Sequence, residues 1–186
     1  MKQLDQYRLD CAQKQKRGLH FILASVVIWC AMTAIYFSGL PILTKNLFAF
    51  ICTGMLLPLS FLISKIINVD FQNKDNPLYN LGLLFSLNQL LYVLIAMWIY
   101  PTIPEKMIMV LAIIFGAHLM PFSWLYRSKV YFVLSIIIPF FALIIGLNFD
   151  PAILSMSMIG VEIIFCVLLI LENREFRSLA ANHLET

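Results

Sequence analysis

Long intervals without a charged residue divide this chain. Five intervals contain no Asp, Glu, Lys or Arg, and a sixth contains only Glu162. The intervals are Gly18–Thr44, Asn46–Ser64, Asn76–Pro104, Met107–Tyr126, Val130–Phe149 and Pro151–Leu171. A helix needs about 20 apolar residues to cross the hydrocarbon core of a bilayer. The pattern therefore predicts six transmembrane helices.

Prolines refine the helix boundaries, because proline is tolerated in the first turn of a helix. Such starts occur at Pro77, Pro104 and Pro151. We therefore expect spans near 19–40, 47–67, 78–100, 105–126, 130–148 and 151–171. The connections between them are short. The chain is predicted to be all-α, with a basic amphipathic arm at 1–17, one six-helix transmembrane domain at 18–171 and a polar tail at 172–186.

The distribution of cations predicts the orientation. With the N-terminus inside, the outer loops contain only Lys45 and Lys106. The inner segments contain eleven cations: Lys2, Arg8, Lys14, Lys16, Arg17, Lys65, Lys74, Arg127, Lys129, Arg174 and Arg177. Lys and Arg are enriched in the cytoplasmic loops of membrane proteins. Both termini are therefore predicted to be cytoplasmic.

Composition agrees with a membrane protein. Hydrophobic residues make up 61% of the chain, charged residues make up 12%, and the mean hydropathy is +0.88. The net charge of +3 leaves two interpretations of the basic arm: a nucleic-acid surface, or a helix that lies on lipid headgroups. Asp5 and Asp10 interrupt the basic residues, and no nucleic-acid motif is present. We expect the bilayer, and not nucleic acid, as the partner of the arm.

Four polar residues lie deep inside predicted spans: Asn88 and Gln89 in the third, His118 in the fourth and Glu162 in the sixth. A helical rise of 1.5 Å per residue puts the amides about 15 Å, His118 about 12 Å and Glu162 about 14 Å from the inner ends of their helices. Charged groups at such depths cost about 2.5–3.5 kcal/mol on insertion scales. The four residues are therefore candidates for a buried polar layer that binds a proton or a small solute.

The alternative is that these residues only hold helices together. Interhelical hydrogen bonds in membranes contribute about 1 kcal/mol or less, and they are common. This alternative is favoured for Asn88 and slightly for His118, whose neutral ring needs one donor and one acceptor. For Glu162 the two interpretations are balanced, because a buried carboxyl group needs a proton, a cation or strong donors.

Prolines inside spans are candidate flex points. Pro58 lies midway along the second span and Pro139 midway along the fifth, while Pro121 lies near the inner end of the fourth. Each proline lacks an N–H group and leaves the carbonyl oxygen four residues earlier without its helical partner. The second and fifth spans are equivalent positions if the protein consists of two inverted three-helix halves, as in many secondary transporters.

The motifs of several enzyme classes are absent from the sequence. No Gly-rich phosphate loop, HExxH, CxxC or GxSxG occurs, and the four cysteines have no metal-ligand spacing. We predict no cofactor and no metal site. His118 and Glu162 remain a candidate acid–base pair, but no nucleophile accompanies them.

The segments RGLHFILAS, LTKNLFAF, KDNPLYNLGLLFSLNQLLY and IFGAHLMPFSWLY resemble those of a family of small multi-pass bacterial membrane proteins of unknown function. The resemblance covers about Lys16 to Glu172. It implies a stand-alone domain in the bacterial cytoplasmic membrane. It implies no activity, substrate or catalytic residue.

Three functions therefore stay open. The first is a transporter or permease-like protein whose polar layer binds a proton or small solute. The second is a membrane enzyme acting on a lipid or isoprenoid substrate. The third is a non-catalytic accessory or immunity protein, which would act with a membrane partner or as a homo-oligomer.

Overall fold

The computed structural model describes residues 2–182, with side chains except at positions 2, 90 and 176–182. Within this range the chain is helical and forms no strand. Nine α-helices follow one another: α1 (Lys2–Lys14), α2 (Leu19–Phe37), α3 (Ile42–Gly54), α4 (Leu56–Ile66), α5 (Tyr79–Thr102), α6 (Met107–His118), α7 (Met120–Leu125), α8 (Lys129–Asn148) and α9 (Pro151–Asn182). The predicted all-α fold is confirmed.

Five segments are long and apolar enough to cross a membrane: Lys16–Phe37, Tyr79–Thr102, Pro104–Leu125, Lys129–Asn148 and Pro151–Glu175. Helices α3 and α4 qualify together as a sixth, but they bend by 44° at Met55. Residues 2–182 thus contain five such segments, or six if the bent pair is one span. These helices overlap the predicted spans, whose number and bounds in a membrane stay predictions.

Helices α2 and α9 form the central pair of the bundle, with the most extensive contact between any two elements in residues 2–182. Trp29 and Met32 of α2 are buried in the same core as Met158 and Phe165 of α9. Helix α8 packs against α6 and α9, and α4 packs against α2. Helix α5 lies at the periphery, where it contacts mainly α6.

Glycines allow the close approach of α6 and α8. A Cβ atom on Gly116 would lie 2.6 Å from Cδ of Pro139 and 2.7 Å from Cγ2 of Ile138. Near the other end of the pair, a Cβ atom on Gly146 would lie 2.5 Å from Cγ of Met109. Small residues at helix contacts are typical of membrane bundles, because van der Waals packing replaces the hydrophobic effect there.

The side-chain contacts define two ends of the bundle. At one end, which we call the basic end, Arg17 meets Glu172 and Asn173, and Ser128 donates a hydrogen bond to Glu172. Lys16 donates to the carbonyl oxygen of Ile67 there. At the opposite end, the hydroxyl of Tyr36 donates to Asn46, and Asn46 donates to the carbonyl oxygen of Pro104.

Helix α1 docks on the basic end through its polar side chains. The carboxylate of Asp10 accepts hydrogen bonds from Asn76 at 2.7 Å and Asn73 at 3.0 Å and pairs with Lys14 at 3.0 Å. Arg8 donates to the carbonyl oxygen of Trp124 and stacks on the ring of that residue. The arm predicted to lie on headgroups is therefore held against the 67–76 loop and α7.

The docked carboxyl group has a perturbed pKa. Burial alone would raise the pKa of Asp10, but hydrogen bonds from Asn76 and Asn73 and the charge of Lys14 outweigh burial and hold the pKa below its usual 3.8. Burial also raises the pKa of the neighbouring Cys11 thiol to about 11, so this thiol is protonated at neutral pH.

We predict that Gly116→Ala destabilises the bundle by about 1–3 kcal/mol, because the new methyl group overlaps Pro139 and Ile138. Thermal unfolding in detergent measures the change. Gly160→Ala in α9 is the matched control, since a Cβ atom there meets nothing within 4 Å. Equal unfolding temperatures for the two variants would contradict the packing described here.

We predict that the docking of α1 weakens in acid. The folded-state pKa of Asp10 lies below the unfolded value, so its contacts stabilise the docked helix above pH 3.8 and lose this contribution as the pH falls further. Hydrogen exchange of the α1 amides, corrected for the intrinsic exchange rate, gives the free energy of opening of this helix. This free energy should fall by about 1 kcal/mol as the pH is lowered below 3.8. In Asp10→Asn the protection should be lower at neutral pH and lose this acid dependence; an unchanged acid response would refute the role of Asp10.

Candidate functional site

A buried carboxyl group lies at the centre of the α2–α9 contact. Glu162 is 0% exposed, near the middle of the segment Pro151–Glu175. Its Oε2 atom lies 2.5 Å from the hydroxyl oxygen of Ser25 on α2, and its Oε1 atom has no hydrogen-bond partner among the described residues. An ionised carboxylate in hydrocarbon needs a cation or several donors. The described residues supply a single hydroxyl group.

The Ser25 hydroxyl group can serve either protonation state of Glu162. Its oxygen lies 2.7 Å from the carbonyl oxygen of Ile22 as well as 2.5 Å from Glu162. A serine hydroxyl has one proton to donate but can also accept. When Glu162 is ionised, Ser25 donates to it. When Glu162 is protonated, the carboxyl O–H can donate to Ser25 while Ser25 donates to Ile22.

A small cavity adjoins this pair. It has a volume of about 60 Å³, and Ser25 forms part of its wall. Gln89 of α5 and Thr53 of α3 are its other polar wall residues, and the remaining wall is apolar. A cavity of this size with three polar side chains in its wall can hold a few water molecules. Residues from five helices thus line a space whose wall includes Ser25, the hydrogen-bond partner of Glu162.

The bend between α3 and α4 borders the cavity. Thr53 and Leu56 both line it, and the bend at Met55 lies between them. Interrupted helices inside a membrane occur where the backbone is buried in protein or lines a cavity, and in transporters they form substrate and ion sites. The bend therefore places irregular backbone next to the polar wall.

His118 lies apart from the Ser25–Glu162 pair. Its Nδ1 atom is 3.3 Å from the carbonyl oxygen of Ile114, and its ring packs against Phe115 and Phe122. None of the contacts described for His118 reaches Glu162. It occupies the last position of α6, where the helix is interrupted before α7.

The two amides of α5 point in different directions. Gln89 is half-buried and lines the cavity, whereas Asn88 is exposed and donates to the hydroxyl of Tyr92 at 3.0 Å. Of the four polar residues predicted from the sequence, Gln89 shares the cavity wall with Ser25, which is the hydrogen-bond partner of Glu162. Asn88 lies on the outer surface of the bundle.

The three prolines have different surroundings. Pro58 lies in the first turn of α4, three residues after the bend at Met55. Pro121 lies at the start of α7, directly after the interruption at Leu119. Pro139 lies inside α8, which continues as one helix and packs on Gly116. The α3–α4 pair is thus bent within one turn of Pro58, whereas α8 is uninterrupted at Pro139.

Other titratable groups surround the pair. Tyr131 of α8 and Cys166 of α9 lie close enough to Glu162 to interact with it electrostatically. On α2, His20 is 0% exposed between the rings of Phe21 and Phe71, and neither ring nitrogen has a hydrogen-bond partner in the described part of the chain.

The described residues include no group of three or more His, Cys, Asp or Glu side chains that could hold a metal ion. The four cysteines are free thiols. The chemistry that this site offers is proton exchange at the carboxyl group of Glu162 and hydrogen bonding at Ser25 and Gln89.

Ser25 was not among the site residues predicted from the sequence. Serine is common in membrane helices as a small packing residue, and its partner lies 137 positions away in the chain. Its position inside the charge-free interval Gly18–Thr44 did indicate a polar side chain within a predicted span. No spacing rule, however, links it to α9.

The fold and the site define a class: an all-helical protein with membrane-length helices and a buried carboxyl group at the centre of the bundle. The chain belongs to DUF7010, a family of unknown function whose model matches residues 4–172. This match confirms the resemblance to an uncharacterised family and extends it to include α1. Comparison with curated proteins found no match. Comparison with solved structures also found none.

We predict that Ser25→Ala costs about 1–3 kcal/mol in a protein that retains Glu162, because it removes the hydroxyl partner of a buried carboxyl group. In a Glu162→Leu background the same substitution should cost much less. A double-mutant cycle of unfolding in detergent measures the coupling. Additive effects would show that the two side chains do not interact.

Proposed function

We propose that this protein is a small transporter-like membrane protein in which Glu162 binds and releases a proton. The observation that carries the proposal is the hydrogen bond between Glu162 and Ser25 beside a polar cavity. Intramembrane carboxyl groups of this kind occur in proton relays and ion pathways. A small solute with hydrogen-bonding groups is the candidate cargo of the adjoining cavity.

The geometry supports a proton as the primary ligand. The Ser25 hydroxyl group can act as donor or acceptor towards Glu162, so both protonation states keep a hydrogen bond. The cavity of about 60 Å³ suits water or a very small solute. Tyr131 and Cys166 are titratable side chains close enough to Glu162 to interact with it electrostatically.

The bend between α3 and α4 is the element that would move. Proton binding changes a conformational equilibrium only if the two conformations bind the proton with different affinity. A bent span beside the site can change its angle and open the cavity to one side. Pro58 lies within one turn of the bend and has no backbone N–H group, so the helix lacks one hydrogen-bond donor there.

The proposal places both termini in the cytoplasm of a bacterium and the bundle in the inner membrane. The orientation is supported by the distribution of cations. Five of them lie at the basic end of the bundle: Arg8, Lys14, Lys16, Arg17 and Arg127. Cytoplasmic ends of membrane proteins have such an excess of Lys and Arg.

The alternative of a lipid-acting enzyme has less support. It requires His118 as a base and Glu162 as an acid in one site. The described contacts of His118 are with Ile114, Phe115 and Phe122 of its own span, and none connects it to Glu162.

We predict that Glu162→Gln abolishes a pH-dependent change in the folded protein. Purified protein in liposomes with an imposed pH gradient should show proton flux, or a change in the accessibility of Cys52 to a thiol reagent when the pH changes. Cys52 is half-buried in α3 next to the bend. Gln keeps the shape of Glu but cannot exchange a proton, so both signals should be lost.

Glu105→Gln is the matched control, because Glu105 is an exposed carboxyl outside the buried site. It should behave as wild type in both assays. Wild-type flux and reagent accessibility in Glu162→Gln would overturn the proposal. Loss of thermal stability alone, with neither signal in wild type, would favour the accessory role in which the polar contact only holds α2 and α9 together.

A further inference from the structure

A groove opens at the basic end, away from the Glu162 site. It has a volume of about 400 Å³ and lies between the end of α7 and the start of α8. Six residues line it: Ser123, Arg127, Ser128, Lys129, Phe132 and Val133. Its volume falls in the range of about 300–1,000 Å³ that is typical of ligand pockets.

Two cations in this groove have no anionic partner in the part of the chain that the structure describes. The other basic side chains nearby are used internally: Arg8 bonds to Trp124 and Asp5, Lys14 pairs with Asp10, and Arg17 meets Glu172. The side chains of Arg127 and Lys129 are exposed and form no ion pair or hydrogen bond within the described part of the chain.

One carboxylate lies near the groove, but its charge is already engaged. The Oε2 atom of Glu172 accepts from Ser128 at 2.5 Å and lies 3.5 Å from Arg17, and its Oε1 atom accepts from the backbone N–H of Lys129 at 2.9 Å. These contacts compensate Glu172 and fix the turn that positions the two cations. The groove therefore retains an excess of positive charge.

The wall next to the cations is apolar and exposed. Phe132 is 51% exposed and Val133 is 48% exposed, and both lie within the first turns of the membrane-length helix α8. The groove thus joins a cationic mouth at the helix end to an apolar surface that continues along the helix. This arrangement matches an amphiphile with an anionic headgroup and a hydrocarbon chain.

We infer that this groove binds one anionic phospholipid, with its phosphate between Arg127 and Lys129 and the start of an acyl chain along Phe132 and Val133. Basic pockets at the ends of transmembrane helices are suited to lipid headgroups, and Arg and Lys both bind phosphate, Arg as a planar fork. The Ser123 hydroxyl, which donates to the carbonyl oxygen of Met120, can accept or be redirected to a headgroup hydroxyl.

The test uses the full chain in a neutral detergent and three probes: phosphatidylglycerol, phosphatidylcholine and soluble glycerol phosphate. Native mass spectrometry titrations measure the binding of each probe. The variant R127Q/K129Q removes both groove cations. The variant K65Q/K74Q is the control, because it removes the same charge from two exposed lysines elsewhere in the described chain.

Phosphatidylglycerol should bind the wild type and K65Q/K74Q alike. The affinity of R127Q/K129Q for phosphatidylglycerol should be roughly 30-fold lower, because each cation near an anionic lipid contributes about 1 kcal/mol and the two contributions add. Glycerol phosphate and phosphatidylcholine should bind more weakly than phosphatidylglycerol to the wild type.

Three outcomes would overturn the inference. Equal weakening in the two double variants would show that the attraction comes from surface charge as a whole. Equal affinity for glycerol phosphate and phosphatidylglycerol would show an anion site without a lipid chain. Equal affinity for phosphatidylcholine and phosphatidylglycerol would show that the groove does not select anionic headgroups. Because both variants change exposed residues only, each should unfold at the wild-type temperature in the absence of lipid.

Discussion

A carboxyl group buried between two membrane-length helices is the constraint on which the rest of the structure depends. Burying Glu162 between α2 and α9 is costly unless the carboxyl group is hydrogen-bonded and protonated or paired. The Ser25 hydroxyl group supplies the described contact, and it belongs to the helix with the most extensive packing against α9. The same contact therefore holds the central pair together and keeps Ser25 at the wall of the cavity. The packing of α2 on α9 and the proposed proton binding therefore both depend on the Ser25–Glu162 hydrogen bond.

The surrounding helices divide into a closely packed part and a looser part. Helices α6 and α8 approach at Gly116 and Gly146, and both pack on the central pair. On the cavity side, α5 is peripheral and the α3–α4 span is bent. Regions with few buried contacts have the lowest local stability and supply the moving elements of proteins. The cavity thus lies on the side of the bundle that contains the peripheral α5 and the bent α3–α4 pair.

Much of the fold could be predicted from the sequence, because bilayer thickness sets helix length. The charge-free intervals located the membrane-length helices, and Pro58 lay within one turn of the observed bend. The candidate site was predictable only in part. Glu162 and Gln89 could be found as polar residues in apolar intervals, but their link through Ser25 depends on how three distant helices pack. The docking of α1 was missed for a similar reason, since Asp10 meets Asn73 and Asn76 only after the 67–76 loop folds back.

The most direct test of the central claim is infrared difference spectroscopy of the folded protein as the bulk pH is changed. If Glu162 exchanges a proton, the spectrum should contain a carbonyl band of a protonated, buried carboxylic acid. The intensity of this band should change with pH, and the band should be absent from Glu162→Gln. The band should also shift in Ser25→Ala, because the hydrogen bond to the carboxyl group is removed. A band that persists in Glu162→Gln, or that stays constant at every pH where the protein is folded, would contradict proton exchange at Glu162.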